Sequence, residues 1–149
     1  ALKPLRRVGR PSVPRLSAMG FFKKSEVKKN YEFGKDLGSG NFAVVKLATK
    51  TSANKQREIP DKVAIKVIDK SKVEDMNDIQ REIEVMSMLD HPNVVKLFEI
   101  YDEPKKMMLV MELVTGGELF DRIVSRGSYT ERDAAEVMRT LCNALSYMH

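Results

Sequence analysis

Residues 62–69 read Lys-Val-Ala-Ile-Lys-Val-Ile-Asp, and this short stretch decides the fold class. Its apolar residues occupy both alternating faces, which is typical of a strand covered on both sides in the middle of a sheet. Lys66 is unexpected there, because burying an unpaired ammonium group is costly. It is either an edge residue whose side chain reaches water or a functional cation with an acidic partner.

Four more strands are predicted around this central one. Residues 31–37 alternate between polar and apolar and residues 42–49 are rich in valine, with the turn at residues 38–40 between them. Together they predict a β-hairpin. Residues 94–102 and 106–114 predict two further strands joined by a turn.

Helical periodicity appears in three segments. Apolar residues recur every three or four positions in residues 75–89, and residues 119–125 predict a short helix. Thr130 and Asp133 form a capping-box-like start to a long helix that continues to His149. Five strands with one helix after the third, followed only by helices, predict an α+β fold with a five-stranded antiparallel sheet.

Charge is distributed unevenly along the 149 residues. The net charge of +5 comes from residues 1–20, which contain five basic residues and no acid, whereas the remaining residues contain 21 of each. Nucleic-acid binding is therefore not predicted, and neither is a membrane span. Residues 1–29 are interpreted as a basic leader without a core of its own, and residues 30–149 as a folded domain. The single cysteine, Cys142, favours a reducing compartment, so the prediction is cytoplasmic.

The loop from Gly38 to Ala43 lies between two predicted strands and reads Gly-Ser-Gly-Asn-Phe-Ala. Glycines allow backbone N–H groups to approach phosphate oxygens closely. A plain hairpin turn is the alternative. A Rossmann loop is excluded because a strand follows, and a P-loop is excluded because no Gly-Lys-Ser/Thr is present.

Two acids on the predicted helix 75–89 are candidate partners for Lys66. Glu82 lies among the apolar positions of that helix, and Glu84 lies one residue further round. Both could be solvated surface acids, but we favour Glu82 because of its place among those apolar positions. No Cys/His cluster offers a metal site, so no metal ligand is predicted within the chain.

In combination, these features resemble the protein kinase family. The glycine loop, the strand lysine 28 residues after Gly38, the helix acid Glu82 and the Gly116-Gly-Glu118 segment occur in that order. The resemblance covers residues 31–149 and implies a kinase N-lobe (five-stranded sheet plus one helix, residues 30–114). The hinge and the first two C-lobe helices would follow in residues 115–149. Within the family, HPNVVKLFEIYDE (residues 91–103) and residues 109–134 are similar to calcium/calmodulin-dependent and calcium-dependent serine/threonine kinases.

The resemblance implies that ATP and Mg²⁺ are the cofactors and that Lys66 and Glu82 are the catalytic residues in this chain. The implied ATP-binding residues are Leu37, Gly38, Ser39, Gly40, Asn41, Phe42, Ala43, Val45, Ala64, Lys66, Met111, Glu112, Val114 and Glu118.

Several of these residues would contact the adenosine part of ATP. Met111 would be the gatekeeper, and the backbone of Glu112 and Val114 would contact the adenine edge. Glu118 would face the ribose and help to read a basic residue of the substrate. Simple strand packing is the alternative for Met111 and Val114, and a helix N-terminal acid is the alternative for Glu118.

Three signature motifs of the family are absent: His-Arg-Asp, Asp-Phe-Gly and Ala-Pro-Glu do not occur in the 149 residues. The resemblance therefore implies the ATP-binding half of a protein serine/threonine kinase that acts on protein substrates. The catalytic base and Mg²⁺ ligands would lie elsewhere, and these residues alone would be inactive. The alternatives are a pseudokinase or scaffolding module that binds nucleotide, and an adaptor unrelated to ATP. Calcium or calmodulin regulation would depend on further segments.

Overall fold

The structure is a computed structural model that describes residues 22–23, 26–127 and 130–149. In chain order its elements are β1 (Phe22–Lys23), α1 (Val27–Asn30), β2 (Tyr31–Ser39), β3 (Ala43–Lys50), β4 (Lys62–Asp69), a 3₁₀ turn (Lys70–Lys72), α2 (Met76–Met88), β5 (Leu97–Asp102), β6 (Lys106–Glu112), α3 (Leu119–Arg126) and α4 (Glu131–Met148).

The strands form one sheet in the order β1-β5-β6-β4-β3-β2. Strands β2 to β6 pair antiparallel, so the predicted five-stranded antiparallel sheet is confirmed. Strand β4 has neighbours on both sides, as its two apolar faces predict. The two-residue strand β1 adds a sixth member, parallel to β5. Two residues are too few to show a periodicity, and sequence analysis did not predict this strand.

Side chains of the central strand β4 enter two separate hydrophobic clusters. Val63 and Ile65 point to one face, where they pack with Tyr31 and Tyr101. Ile68 points to the opposite face and joins the cluster that contains the buried side chains of α2. All three β4 residues have no exposed surface. Burying each such side chain stabilises the fold by about 1.5–3 kcal/mol.

Helix α2 packs on that second face. It begins after Asp75, whose side chain accepts a hydrogen bond from the backbone N–H of Asn77. Ile79 and Ile83, one turn apart, are its buried residues. The bounds predicted from sequence differ from those of the structure by one residue at each end.

The predicted capping box at the start of α4 is present. Thr130 Oγ1 accepts a hydrogen bond from the backbone N–H of Asp133, and the Asp133 carboxylate accepts one from the backbone N–H of Thr130. These bonds satisfy backbone donors that a helix terminus otherwise leaves unpaired. The Thr130 hydroxyl also donates to the Asp133 carboxylate (2.7 Å), and this bond, together with the one from the Thr130 backbone N–H, holds the pKa of Asp133 below its ordinary value.

Some element boundaries in the structure differ from those predicted from the sequence. Residues 94–96 and 113–114 leave their predicted strands, and α1 begins inside the predicted leader. Val27 is 3% exposed and belongs to the core, so ordered packing begins before the boundary set after residue 29. A single buried valine gives no pattern that sequence analysis can use. The remainder of the predicted leader, apart from residues 22–23 and 26–29, lies outside the described residues. The division after residue 114 stays a prediction.

A polar network lies in the core on the α1 side of the sheet. Glu99 is 2% exposed, and its Oε2 accepts hydrogen bonds from Tyr31 Oη (2.8 Å) and Tyr101 Oη (2.9 Å). Tyr101 Oη in turn accepts one from Asn30 Nδ2 (2.9 Å). Burial, and then the hydrogen bond from Tyr31 to the Glu99 carboxylate, raise the pKa of Tyr31 above its ordinary value. This network is not predictable from the sequence, because a lone Glu in an apolar strand gives no indication of its partners.

None of the helices in the described part of the chain combines the length and the apolar character that crossing a membrane requires.

Candidate functional site

Lys66 and Glu82 form an ion pair across the space between β4 and α2. Lys66 Nζ lies 2.8 Å from Glu82 Oε1, and the side chains are 21% and 44% exposed. Glu82 is thus the partner that the helix pattern favoured over Glu84. The pair explains why a lysine is tolerated in the most covered strand of the sheet, because its ammonium group is neither unpaired nor fully removed from water.

Cross-strand register places several predicted site residues on the same sheet face as Lys66. Val45 of β3 lies directly opposite Lys66, and Met111 of β6 lies directly opposite Ala64. Ala64 and Lys66 are two residues apart and therefore share a face. Ala64 is buried and Met111 is half-buried, so the sheet offers an apolar wall beside the ammonium group.

A cavity of about 340 Å³ lies between the glycine loop and Lys66. Its lining residues are Gly38, Ser39, Gly40, Asn41, Phe42, Ala43, Val45 and Lys66.

The glycine loop closes the hairpin between β2 and β3, with a hydrogen bond from Gly40 N–H to the Ala43 carbonyl (2.8 Å). The backbone N–H groups of Asn41 and Phe42 donate no hydrogen bond within the described residues. A Cβ atom at Gly38 would meet nothing within 4 Å. Free backbone donors and a lysine ammonium around one cavity suit a phosphate group, because both kinds of group bind anions.

Several residues predicted to contact the adenine and ribose lie outside the glycine-loop cavity. Glu112 ends β6, and its backbone N–H donates to the Lys96 carbonyl (2.9 Å). Val114 is 66% exposed. Glu118 precedes α3 and makes no side-chain capping hydrogen bond. These three residues and Leu37 do not line the glycine-loop cavity, which reaches only the residues around Lys66.

The segment between β6 and α3 contains two glycines with positive φ angles. Gly116 and Gly117 adopt φ angles of 108° and 76°, which residues with side chains rarely adopt. These glycines turn the chain from the end of β6 into α3.

Metal binding receives no support from side-chain clusters in residues 22–23, 26–127 and 130–149. No three His, Cys, Asp or Glu side chains of these residues come close enough to hold an ion.

One contact between α4 and the strand-rich part was not predicted. The Asp90 backbone N–H donates to Tyr147 Oη (3.0 Å), and the rings of Tyr147 and His91 stack with centroids 4.9 Å apart. Asp90 and His91 follow α2, so α4 is attached to the end of the helix that carries Glu82. The sequence showed Tyr147 only as part of an apolar helix face, which does not indicate a partner 57 residues away.

Comparison with known proteins gives a consistent result. The family model described as protein kinase domain matches residues 31–149. Myosin light chain kinase A of Dictyostelium discoideum is 44% identical over 127 residues, which cover 84% of this chain and 41% of that protein. CBL-interacting serine/threonine-protein kinase 1 of Arabidopsis thaliana is 46% identical over 122 residues (80% and 26%). Calcium/calmodulin-dependent protein kinase type 1 of Caenorhabditis briggsae is 44% identical over 126 residues (84% and 34%). The chain therefore spans well under half the length of these relatives.

Proposed function

Since this chain belongs to the protein kinase family, we propose that it is the ATP-binding part of a protein serine/threonine kinase. The reaction is transfer of the γ-phosphoryl group of ATP to Ser or Thr side chains of protein substrates. The observation that carries the proposal is the Lys66–Glu82 ion pair, whose lysine lines the glycine-loop cavity.

Phosphoryl transfer depends mainly on positioning and charge stabilisation. Lys66 would bind the α- and β-phosphates through its ammonium group, and Glu82 would keep that group on the cavity side of the sheet. Glu82 acts through Lys66 and is a positioning residue. The free N–H groups of Asn41 and Phe42 would add neutral donors to the same phosphates.

The adenosine part of ATP would lie on the apolar wall that follows from the strand register. Val45 and Ala64 would contact the adenine ring, and Met111 would limit the depth of the pocket. The Glu112 carbonyl and the Val114 backbone would bind the adenine edge. Leu37 and Glu118 would contact the ribose side, although in the structure they lie outside the glycine-loop cavity.

Bound ATP supplies the phosphoryl group, and Mg²⁺ neutralises its developing charge. We propose that the Mg²⁺ ligands and the base that accepts the substrate hydroxyl proton are supplied by residues that are not among these 149. The proposal rests on the absence of the His-Arg-Asp and Asp-Phe-Gly motifs from the sequence. We therefore expect nucleotide binding, but no transfer, from the 149-residue chain.

Serine/threonine specificity is supported by the names of the relatives, among them a CBL-interacting serine/threonine-protein kinase. Regulation by calcium or calmodulin is supported in the same way by the calcium/calmodulin-dependent relative. A cytoplasmic location stays a prediction from composition. A nucleotide-binding scaffold would share the ATP site, so transfer by the longer protein is the property that separates it from a kinase.

ATP affinity of the purified chain tests the proposal. Lys66→Met removes a charged donor from the phosphates, and we expect the dissociation constant for ATP to rise roughly tenfold to a hundredfold. Lys62→Met is the matched control, because Lys62 is an exposed lysine at the start of the same strand. Isothermal titration calorimetry provides the measurement. A folded chain that does not bind ATP, or that binds it equally well after Lys66→Met, would contradict the proposal.

A further inference from the structure

An outer cavity of about 200 Å³ lies between the glycine loop, β3, β4, the 3₁₀ turn and the start of β6. Cross-strand register places Val44 opposite Val67 and Asp69 opposite Lys106. Because successive strand residues alternate between the two faces, these four residues lie on the sheet face that Lys66 does not use. The outer cavity and the glycine-loop cavity share only residues of the loop itself, namely Gly40, Asn41, Phe42 and Ala43.

The charged side chains around the outer cavity are mostly basic. Three lysines from three elements line it: Lys46 of β3, Lys72 of the 3₁₀ turn and Lys106 of β6. Asp69 is its one acidic lining residue within the described part of the chain. Lys46 pairs with Asp36, which lies outside the lining. The charge balance therefore stays positive even when that second acid is counted.

The one lining carboxylate is bound by other groups. Asp69 accepts hydrogen bonds from the Ser71 backbone N–H (3.1 Å) and the Ser71 hydroxyl (2.7 Å). These bonds, and then the charges of Lys72 and Lys106, hold the pKa of Asp69 below its ordinary value. Neither Lys72 nor Lys106 forms an ion pair with any residue that the structure describes. Both ammonium groups can therefore bind an anion from outside the chain.

Charge and size together indicate the kind of anion. Three lysines against one carboxylate leave a net charge of about +2, which matches the roughly −1.5 to −2 that a phosphate monoester carries at neutral pH. Phe42 is exposed, and Val44 and Val67 are half-buried, so an apolar surface lies beside these charges. Pockets for drug-sized ligands measure about 300–1,000 Å³. The outer cavity is smaller and suits a single ring or short chain that carries the phosphate.

We propose that the outer cavity binds a phosphate monoester carried on an apolar group. Lys72 and Lys106 hold the phosphate, and Phe42 packs against the apolar part. Such a group can come from a phosphorylated tyrosine side chain of a peptide or from a small free phosphate ester. In either case the ligand lies on the outer side of the glycine loop. This inference does not depend on ATP binding, so its test is separate from the test of the proposed function.

NMR titration of the 149-residue chain with phenyl phosphate tests the site. We expect the backbone amide signals of Val44 and Lys106 to shift, and inorganic phosphate to bind severalfold more weakly because it has no apolar part to bury. Equal affinity for the two probes would overturn the proposed ligand class. A short phosphotyrosine peptide distinguishes the two sources. Tighter binding of the peptide than of phenyl phosphate would assign the site to a peptide ligand, and equal or weaker binding to a free ester.

Lysine variants show which groups hold the phosphate. Replacing both outer lysines, by Lys72→Met and Lys106→Met, should raise the dissociation constant for phenyl phosphate on the order of tenfold. The matched control is Lys28→Met with Lys55→Met, because these two lysines are also exposed but do not line the cavity. Circular dichroism verifies the fold of each variant. An unchanged dissociation constant after loss of both outer lysines would overturn the proposal.

Two further variants give results that an unfolded protein could not produce. Asp69→Asn removes the one lining carboxylate, while its amide oxygen can still accept the hydrogen bonds from Ser71. We expect it to tighten phenyl phosphate binding severalfold, and weaker binding would contradict the charge argument. Lys66→Met separates the two cavities, because Lys66 lines only the glycine-loop cavity. Loss of the Val44 and Lys106 shifts in Lys66→Met would place the probe in the glycine-loop cavity and overturn the proposal.

Discussion

Lys66 is a charged residue in an otherwise largely apolar strand, and its environment explains why the fold tolerates it. It occupies a strand whose neighbours Ile65 and Ile68 have no exposed surface, yet 21% of its own side chain remains exposed and its ammonium group is 2.8 Å from Glu82. A partly exposed ion pair contributes little to stability. The pair is therefore better explained by how it positions the Lys66 ammonium group than by its contribution to the free energy of folding.

Glu82 and Glu84 provide a direct comparison at this scale. Glu82→Gln removes the charge that holds Lys66, and we expect a severalfold weaker affinity for ATP. Glu84→Gln removes the same charge from the same helix without touching Lys66, and the affinity should not change. Nucleotide titration of the two variants measures the difference. Equal effects of both substitutions would show that only the overall charge of α2 matters.

We expect a larger effect on stability from replacing the buried Glu99 than from replacing a member of the Lys66–Glu82 pair. Glu99→Leu leaves the hydroxyl groups of Tyr31 and Tyr101 without their common acceptor. Each unsatisfied buried group costs about 1–3 kcal/mol, so we expect the free energy of unfolding to fall by about 2–4 kcal/mol. Tyr31→Phe removes one hydroxyl together with its bond and should cost about 1 kcal/mol. Urea unfolding monitored by circular dichroism measures both, and a smaller loss for Glu99→Leu than for Tyr31→Phe would contradict this account.

The elements are defined by local signals at their ends and by tertiary contacts along their length. Helices α2 and α4 begin at side-chain caps, Asp75 and Thr130, of which only Thr130 is predicted as a cap from the sequence. Strand β5 begins at Leu97, three residues later than its apolar run predicts. Residues 94 and 95 are both valine, but the paired register with β6 begins only at Leu97, opposite Met111.

Acid titration tests the cap of α4. The hydrogen bonds from Thr130 lower the pKa of Asp133 below the ordinary value of 3.8. A carboxyl group with a lowered folded-state pKa contributes its stabilisation fully above the unfolded-state pKa and loses it as the pH falls through the folded-state value. We therefore expect the stability difference between the unsubstituted chain and Asp133→Asn to be constant near neutral pH and to shrink in acid below 3.8. Thermal unfolding at a series of pH values measures this stability difference, and a difference that grows in acid would contradict the prediction.

At the scale of the whole molecule, the chain is a kinase N-lobe joined to the first helices of a C-lobe. Both hydrophobic clusters lie on the sheet, whereas α3 and α4 expose large apolar side chains such as Phe120 and Leu145. Tyr147 provides a side-chain link between these two parts through Asp90 and His91.

Tyr147→Phe should loosen this link without removing it. The phenyl ring can still stack on His91, but the Asp90 N–H loses its acceptor. A hydrogen bond of about 1 kcal/mol corresponds to roughly fivefold faster hydrogen exchange at the Asp90 amide. The Glu99 amide, in the middle of β5, is an internal control. Unchanged exchange at Asp90, resolved by NMR, would show that the hydroxyl does not protect this loop.

The element order, the central place of β4, the glycine loop and the preference for Glu82 are all predictable from the sequence, because each depends on periodicity or spacing within one segment. Tertiary structure decided the rest. Strand β1, the burial of Val27, the acceptor role of Glu99 and the contact of Tyr147 with Asp90 depend on residues far apart in the chain. A two-residue strand or a single residue shows no hydrophobic periodicity. Its environment is set by whichever distant segment the folded chain brings against it.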